Sequence, residues 1–164
     1  LDPPFVGGHW TPQLIDWAGG TQPLNPAPIP LSSVGSWRET VGAGKSFTVD
    51  PSLCADVNPD KIIICPCGLD VQKTEEEMRR MLQQSPEALR WLWGLGAFRR
   101  GGLALVDGNV HFNRPGPRVA DALEFLVGFL NDEEDLIPQG FPWKRLTPDD
   151  FPGVRFPDAG ADPD

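Results

Sequence analysis

The sequence predicts an α/β fold: a three-layer sandwich lobe with a mostly parallel sheet flanked by helices, followed by an irregular C-terminal tail. Three observations predict it. Lys61-Ile62-Ile63-Ile64-Cys65 is β-branched and apolar on both faces, the mark of a parallel strand covered by helices. Leu103-Ala104-Leu105-Val106 is a second such run. Each run leads through a loop rich in turn formers into a stretch with helical periodicity, and that alternation belongs to α/β architectures.

The elements follow in chain order. Residues 1–8 read as the end of a strand entering a loop. Thr11-Pro12 opens a helix whose apolar face is Leu14, Ile15, Trp17 and Ala18, with Gly19-Gly20 as its stop. Residues 21–48 carry Pro23, Pro26, Pro28 and Pro30 among polar breaks and read as one long proline-rich loop. Asp50-Pro51 is a cap and first-turn proline for a short helix through Val57. Asn58-Pro59-Asp60 is a turn into the strand at Lys61. After Pro66–Asp70 comes a helix containing Thr74–Leu82, with an acidic start and a basic later turn that suit the helix dipole. Ser85-Pro86-Glu87 opens another helix, with Ala88, Leu89, Trp91, Leu92 and Leu95 inward. Arg99–Gly102 turns into the second strand. The last helix spans about 117–131, where Val119, Ala122, Leu123, Leu126 and Leu130 recur at helical spacing. Periodicity then stops. Residues 1–131 therefore read as the lobe, and 132–164 as an extended acidic, proline-rich tail, partly disordered at its end.

Composition excludes several function classes. The chain has 164 residues, enough for one domain with a real core. Its net charge of −9 argues against nucleic-acid binding, which needs a basic face to neutralise phosphates. The same charge is repelled by an anionic membrane surface, and no apolar run approaches the roughly 20 residues of a spanning helix. The chain opens on Leu1 with no secretory signal pattern, which reads as a processed or trimmed polypeptide. The tryptophans read as core or lid residues. Cys54, Cys65 and Cys67 are an odd set, which argues against a disulfide framework. Cys65-Pro66-Cys67 is too tight for a relaxed disulfide and too short for the usual structural zinc spacing. No metal site is assigned.

Catalysis has no motif behind it. There is no Gly-x-Ser-x-Gly elbow, and Gly42-Ala43-Gly44-Lys45-Ser46 lacks the first glycine and the preceding strand of a phosphate loop. Cys67 near His9 or His111 is the one candidate nucleophile pair, and the expectation is a protein that is not an enzyme. Glu75-Glu76-Glu77 reads as a solvated helix face.

Binding is better supported. Asp107 to Arg118 joins a strand end to a helix and gathers an aromatic ring, an imidazole, amides and guanidinium groups, and open α/β sheets hold ligands at such strand ends. On a parallel sheet the loops 5–10, 66–70 and 107–116 share one rim. Both histidines, His9 and His111, fall in these loops, with Trp10, Asp70, Asn109, Phe112, Asn113 and Arg114. Aromatic faces with amide neighbours suit a flat macrocycle, and a neutral imidazole reaches a metal centre. Each residue has an ordinary alternative: a loop histidine solvated or donating to backbone, Trp10 stapled on the following helix, Arg114 paired with Asp107 or capping a helix.

The segments IIICPCGLDVQKTEEE (62–77), LVDGNVHFNRPGPRVADALEFL (105–126) and LDPPFVGGHWTPQLIDWAGG (1–20) resemble the C-terminal lobe of the cobalamin/iron-siderophore class of periplasmic ABC-transporter substrate-binding proteins. The resemblance covers about residues 1–131, broken by the loop 21–48. It implies two α/β lobes joined by a long helix, with a corrinoid, haem or iron chelate held between them and no cofactor otherwise required. It also implies an extracytoplasmic location, an N-terminal lobe as partner, and docking to an ABC permease. This chain matches one lobe only, and Ser52 stands where a docking Glu is usual. Ligand-binding candidates are then His9, Trp10, Cys67, Gly68, Asp70, Asn109, His111, Phe112, Asn113 and Arg114. The other reading is a repurposed lobe that serves as a structural or interaction subunit and holds protein partners through the loop 21–48 and the tail 132–164.

Overall fold

In the computed structural model the described residues are 1–27, 44–85, 87–114, 116–154 and 156. The elements run β1 (Phe5–Val6), α1 (Thr11–Trp17), β2 (Phe47–Thr48), α2 (Pro51–Val57), β3 (Ile62–Ile64), α3 (Val71–Gln84), α4 (Arg90–Gly94), α5 (Gly96–Arg99), β4 (Leu103–Val106), α6 (Val119–Leu130) and β5 (Trp143–Leu146). A π-helical turn, Gly108–Phe112, follows β4, and single 3-10 turns lie at Glu134–Leu136 and Pro148–Asp150. The protein is thus a mixture of helices and small sheets. Most of the proline-rich loop, residues 28–43, lies outside the described residues, as does the chain beyond Phe156.

The chain divides into two compact units. The first comprises Leu1–Pro4, Asp50–Asn109 and Pro142–Asp164, and the second Phe5–Val49 and Val110–Phe141. In the first, β3 and β4 pair in parallel, with Ile62 opposite Leu103 and Ile64 opposite Leu105. β5 adds antiparallel to the other edge of β4, with Leu103 opposite Leu146 and Val106 opposite Trp143. Leu103, Leu105, Leu146, Met78, Leu92, Trp93, Phe98 and Phe151 form its buried core. The ring of Trp93 sits 4.8 Å from Phe98 and 5.0 Å from Phe151. Two helices are fixed by their caps. The Asp50 carboxylate accepts from the Ser52 amide at 2.9 Å, and that of Asp70 accepts from the Lys73 amide at 2.8 Å. Asn58 ends α2 in the left-handed region, which its short polar side chain tolerates.

In the second unit, β1 and β2 form a two-stranded antiparallel ribbon, with Phe5 opposite Thr48 and Val6 opposite Phe47. α1 and α6 pack together, and Asn131 ties their C-terminal ends by donating to the Ala18 carbonyl at 3.1 Å. The core is aromatic. Phe125 stacks on Phe129 at 5.5 Å and on Phe141 at 4.8 Å, both pairs within 9° of parallel. Gly128 lets the turn after α6 lie against the helix: a Cβ there would sit 2.7 Å from Ile137 and 2.9 Å from the Glu133 carbonyl.

Two expectations are corrected. Among the described residues the sheets are not mostly parallel, since one ladder is parallel and two are antiparallel. The segment after Asp132 is not an irregular tail throughout. It supplies β5, and it buries Phe141, Leu146 and Phe151. The reason is local. Trp143-Lys144-Arg145-Leu146 is a sheet-edge strand with three half-exposed residues, so no hydrophobic alternation announces it. A smaller shift concerns α4. Leu89 takes a left-handed backbone (φ +60°), the helix starts only at Arg90, and Trp93 turns fully inward while Trp91 stays half-buried.

Candidate functional site

The expected ligand residues fall into both units. Cys67, Gly68, Asp70 and Asn109 belong to the first, and His9, Trp10, His111, Phe112, Asn113 and Arg114 to the second. Each group is therefore described within its own unit.

In the second unit the turn Gly7-Gly8-His9-Trp10 leaves the C-terminal end of β1 and enters α1. It is anchored from three sides. The Gly8 amide donates to Ser46 Oγ at 3.0 Å and the His9 amide to the Gly44 carbonyl at 3.0 Å. Buried Asn25 donates through Nδ2 to the Gly7 carbonyl at 3.1 Å and to the Lys45 carbonyl at 3.3 Å. Gly8 is required for this approach. A Cβ there would lie 2.6 Å from the Lys45 carbonyl carbon and the Ser46 nitrogen, and closer still to the Gly44 oxygen. The turn places His9 in the left-handed region (φ +57°) with its imidazole exposed. A non-glycine residue holds that conformation only when its surroundings over-determine it, and the hydrogen bonds on Gly7, Gly8 and His9 do so. The Trp10 ring lies 5.9 Å from that of His9, and its indole Nε1 donates to the Phe112 carbonyl at 3.0 Å. His9, Trp10 and the backbone of Phe112 are thus brought together.

The side chains of His111 and Phe112 are not. Both were expected to line an open rim, and both are buried, at 6% and 3% exposure. The segment after β4 winds into a π-helical turn that carries the two rings inward. His111 packs 4.5 Å from Phe141, and Phe112 meets Phe125 edge-on at 6.5 Å. Asn113 is half-buried, and Arg114 extends exposed from the following bend.

In the first unit Cys67 and Gly68 are the central residues of a turn after β3. The Leu69 amide donates to the Pro66 carbonyl at 3.5 Å, and Gly68 has φ +78°, the pattern of a type II turn. Asp70 is occupied by helix capping and by an ion pair to Lys73 at 3.2 Å, and the bonds from Lys73 hold its carboxyl below the usual range. Burial, together with the neighbouring Cys67, pushes the Cys65 thiol up to about 12, so it stays protonated at neutral pH while Cys67 is exposed. Asn109 is half-buried.

Sequence reasoning missed Asn25 and Ser46, which hold the His9 turn from positions 16 and 37 residues away. The only signal was a polar residue set between prolines. It also missed Gln13, a fully amphipathic-looking helix residue that is 4% exposed. Among the described residues no group of three or more His, Cys, Asp or Glu side chains is placed to hold a metal ion, and no helix is long and apolar enough to cross a membrane. An open depression lies at the start of the segment after α6, lined by Asp132, Glu133, Glu134, Asp135 and Leu136, none of them expected ligand residues. No protein-family model matches the chain, and no curated protein or solved structure matches it either.

Proposed function

We propose that the chain is a non-enzymatic solute-binding lobe, and that its ligand is a flat metal chelate of the corrinoid or iron-chelate kind. One observation carries this reading: an exposed imidazole beside an indole face on a turn that is fixed before any ligand arrives. Preorganisation of that sort lowers the ordering cost of binding. A neutral histidine supplies a metal ligand and the half-buried tryptophan a stacking surface. The three-layer sandwich, an N-terminal lobe as partner and docking to a permease belong to this proposal through the sequence resemblance at residues 1–20, 62–77 and 105–126. Because His111 and Phe112 are buried, the contact surface in this reading is His9 and Trp10, with the Phe112 carbonyl holding the indole.

A second reading is favoured by one specific observation. Phe5, Trp17 and Phe47, all in the second unit, are 66%, 47% and 41% exposed. Large apolar side chains left in water suit a subunit that meets protein partners.

The test is a titration with cyano- and hydroxocobalamin and with haem, followed by tryptophan fluorescence and absorbance. The solute-binding reading expects quenching at micromolar ligand, on the order of 8 kcal/mol of binding, that is lost in both His9→Ala and Trp10→Ala. No response from a folded wild-type chain at about a millimolar turns the assignment to the second reading.

A further inference from the structure

We propose that the ligand of the His9–Trp10 turn is anionic, and that Lys45 and Arg114, which the fold sets at the two ends of that turn, select it by charge. The inference rests on the reading above that this turn binds a flat metal chelate, and it names the charge class of that chelate.

Hydrogen bonds set both cations beside the turn. The His9 amide donates to the Gly44 carbonyl at 3.0 Å, and Asn25 Nδ2 spans the carbonyls of Gly7 and Lys45 at 3.1 and 3.3 Å. Lys45 therefore leaves the backbone next to the turn at its Gly7–His9 end. At the other end the Trp10 indole donates to the Phe112 carbonyl at 3.0 Å. Arg114 follows Phe112 two residues later, no more than about 7 Å along the chain. His9, Lys45 and Arg114 are all exposed. At physiological ionic strength charges are felt over about 8 Å, so the fields of both cations reach a ligand held by the imidazole and the indole.

The rest of this unit carries the opposite charge. Its described cations are Lys45, Arg114 and Arg118, which caps the start of α6. Its described carboxylates are Asp16, Asp121, Glu124 and the run Asp132 to Asp135. That run begins beyond Asn131, which donates to the Ala18 carbonyl at the end of α1 opposite Trp10. The length of α1 from Trp10 to Ala18 is about 12 Å, more than the screening length. Asp121 lies three residues after Arg118 and offsets it, which leaves Lys45 and Arg114 as the effective pair. An acidic unit that gathers its cations at one place repels anions elsewhere and admits them there.

The probes are two water-soluble iron porphyrins with the same macrocycle and metal, one bearing peripheral sulfonates and the other N-methylpyridinium groups. Binding to the full chain is followed by the Soret band, and only the component lost in His9→Ala is counted. The sulfonated porphyrin should bind about tenfold more tightly than the cationic one at about 0.15 M salt, the scale on which a local field concentrates a charged ligand. The preference should fall to within about twofold at about 1 M, where charges are felt over only about 3 Å. Lys45→Gln/Arg114→Gln should lose the preference at the lower salt. Glu133→Gln/Asp135→Asn, which changes the net charge by the same amount beyond the opposite end of α1, should keep it. Equal binding of the two porphyrins or a preference for the cationic one overturns the inference alone. So does a preference that survives high salt, that persists in folded Lys45→Gln/Arg114→Gln, or that shifts as much in Glu133→Gln/Asp135→Asn. Binding of neither porphyrin overturns the chelate reading, and the charge assignment falls with it.

Discussion

At the scale of single residues, the molecule shows how a loop becomes a rigid presentation device. Gly8 admits the backbone of Gly44–Ser46, and the hydrogen bonds that follow hold His9 in a conformation it would otherwise avoid. Gly8→Ala must push the two segments apart. The expected loss is about 1–3 kcal/mol, typical of overpacking, and in a chain of this length each kcal/mol lowers Tm by about 2–4 °C. A thermal melt of Gly8→Ala that overlays the wild type would show that the contact is dispensable. Legibility at this scale was mixed. The His9-Trp10 pair was visible as an aromatic and an imidazole beside glycines. Asp70 was read as a rim residue, and the structure uses it to cap α3. His111 and Phe112 looked solvent-facing because they fall in a loop after a strand, whereas that segment winds into a π-helical turn that carries both rings inward.

At the scale of elements, β5 is held by an ion cluster as well as by its ladder. Lys144 Nζ lies 2.9 Å from Glu75 Oε2 on α3 and 2.8 Å from Asp150 Oδ1 on the following 3-10 turn, and Glu75 also accepts from Arg79 at 2.7 Å. Partial burial raises both carboxyls, but the bonds from Arg79 and Lys144 at Glu75, and from Lys144 and Thr147 at Asp150, outweigh it and leave both below their ordinary values. The sign follows. Groups whose folded pKa is depressed contribute stability that is present above the unfolded carboxylate pKa, roughly 4, and is lost as pH falls through the lower folded values. Chemical denaturation at pH 7 should therefore show Lys144→Met destabilised by about 1 kcal/mol, a modest figure because the cluster is partly screened by solvent. The difference between variant and wild type should shrink as the pH is lowered below about 4. A gap that stays constant to pH 2 would assign the effect to packing of the lysine stem. Helices α1, α2, α3 and α6 were legible because caps, prolines and periodicity agree on them. The strands β2 and β5 were not: both residues of β2 are exposed and three of the four in β5 are half-exposed, so neither shows the apolar run that marks β3 and β4.

At the scale of the whole molecule, neither unit is a continuous stretch of sequence. The chain passes between them at Pro4–Phe5, Val49–Asp50, Asn109–Val110 and Phe141–Pro142. Sequence reading gives one lobe over 1–131 because it follows local periodicity, and nothing in local periodicity reports which distant segments share a core. A fragment ending at residue 131 lacks Leu146 and Phe151, both within the core of the first unit and both under 3% exposed. Removing a large core side chain typically costs about 2–5 kcal/mol, and this fragment removes two with the strand that carries one of them. It should show the broad, poorly dispersed amide spectrum of a chain without fixed packing. A well-dispersed spectrum from 1–131 would mean that the first unit closes its core without β5.

The antiparallel partner of β4 arrives late on the ribosome. Leu103–Val106 is apolar throughout, and β5 lies 37 residues beyond it from Val106 to Trp143. At the usual pace of protein synthesis that separation lasts about 2–7 s. During that time the nascent chain displays four apolar residues with one edge unpaired, the kind of surface that recruits strands from neighbouring chains. The charged pair Lys144-Arg145, on the strand that finally covers this edge, gives the finished sheet a border that repels such pairing.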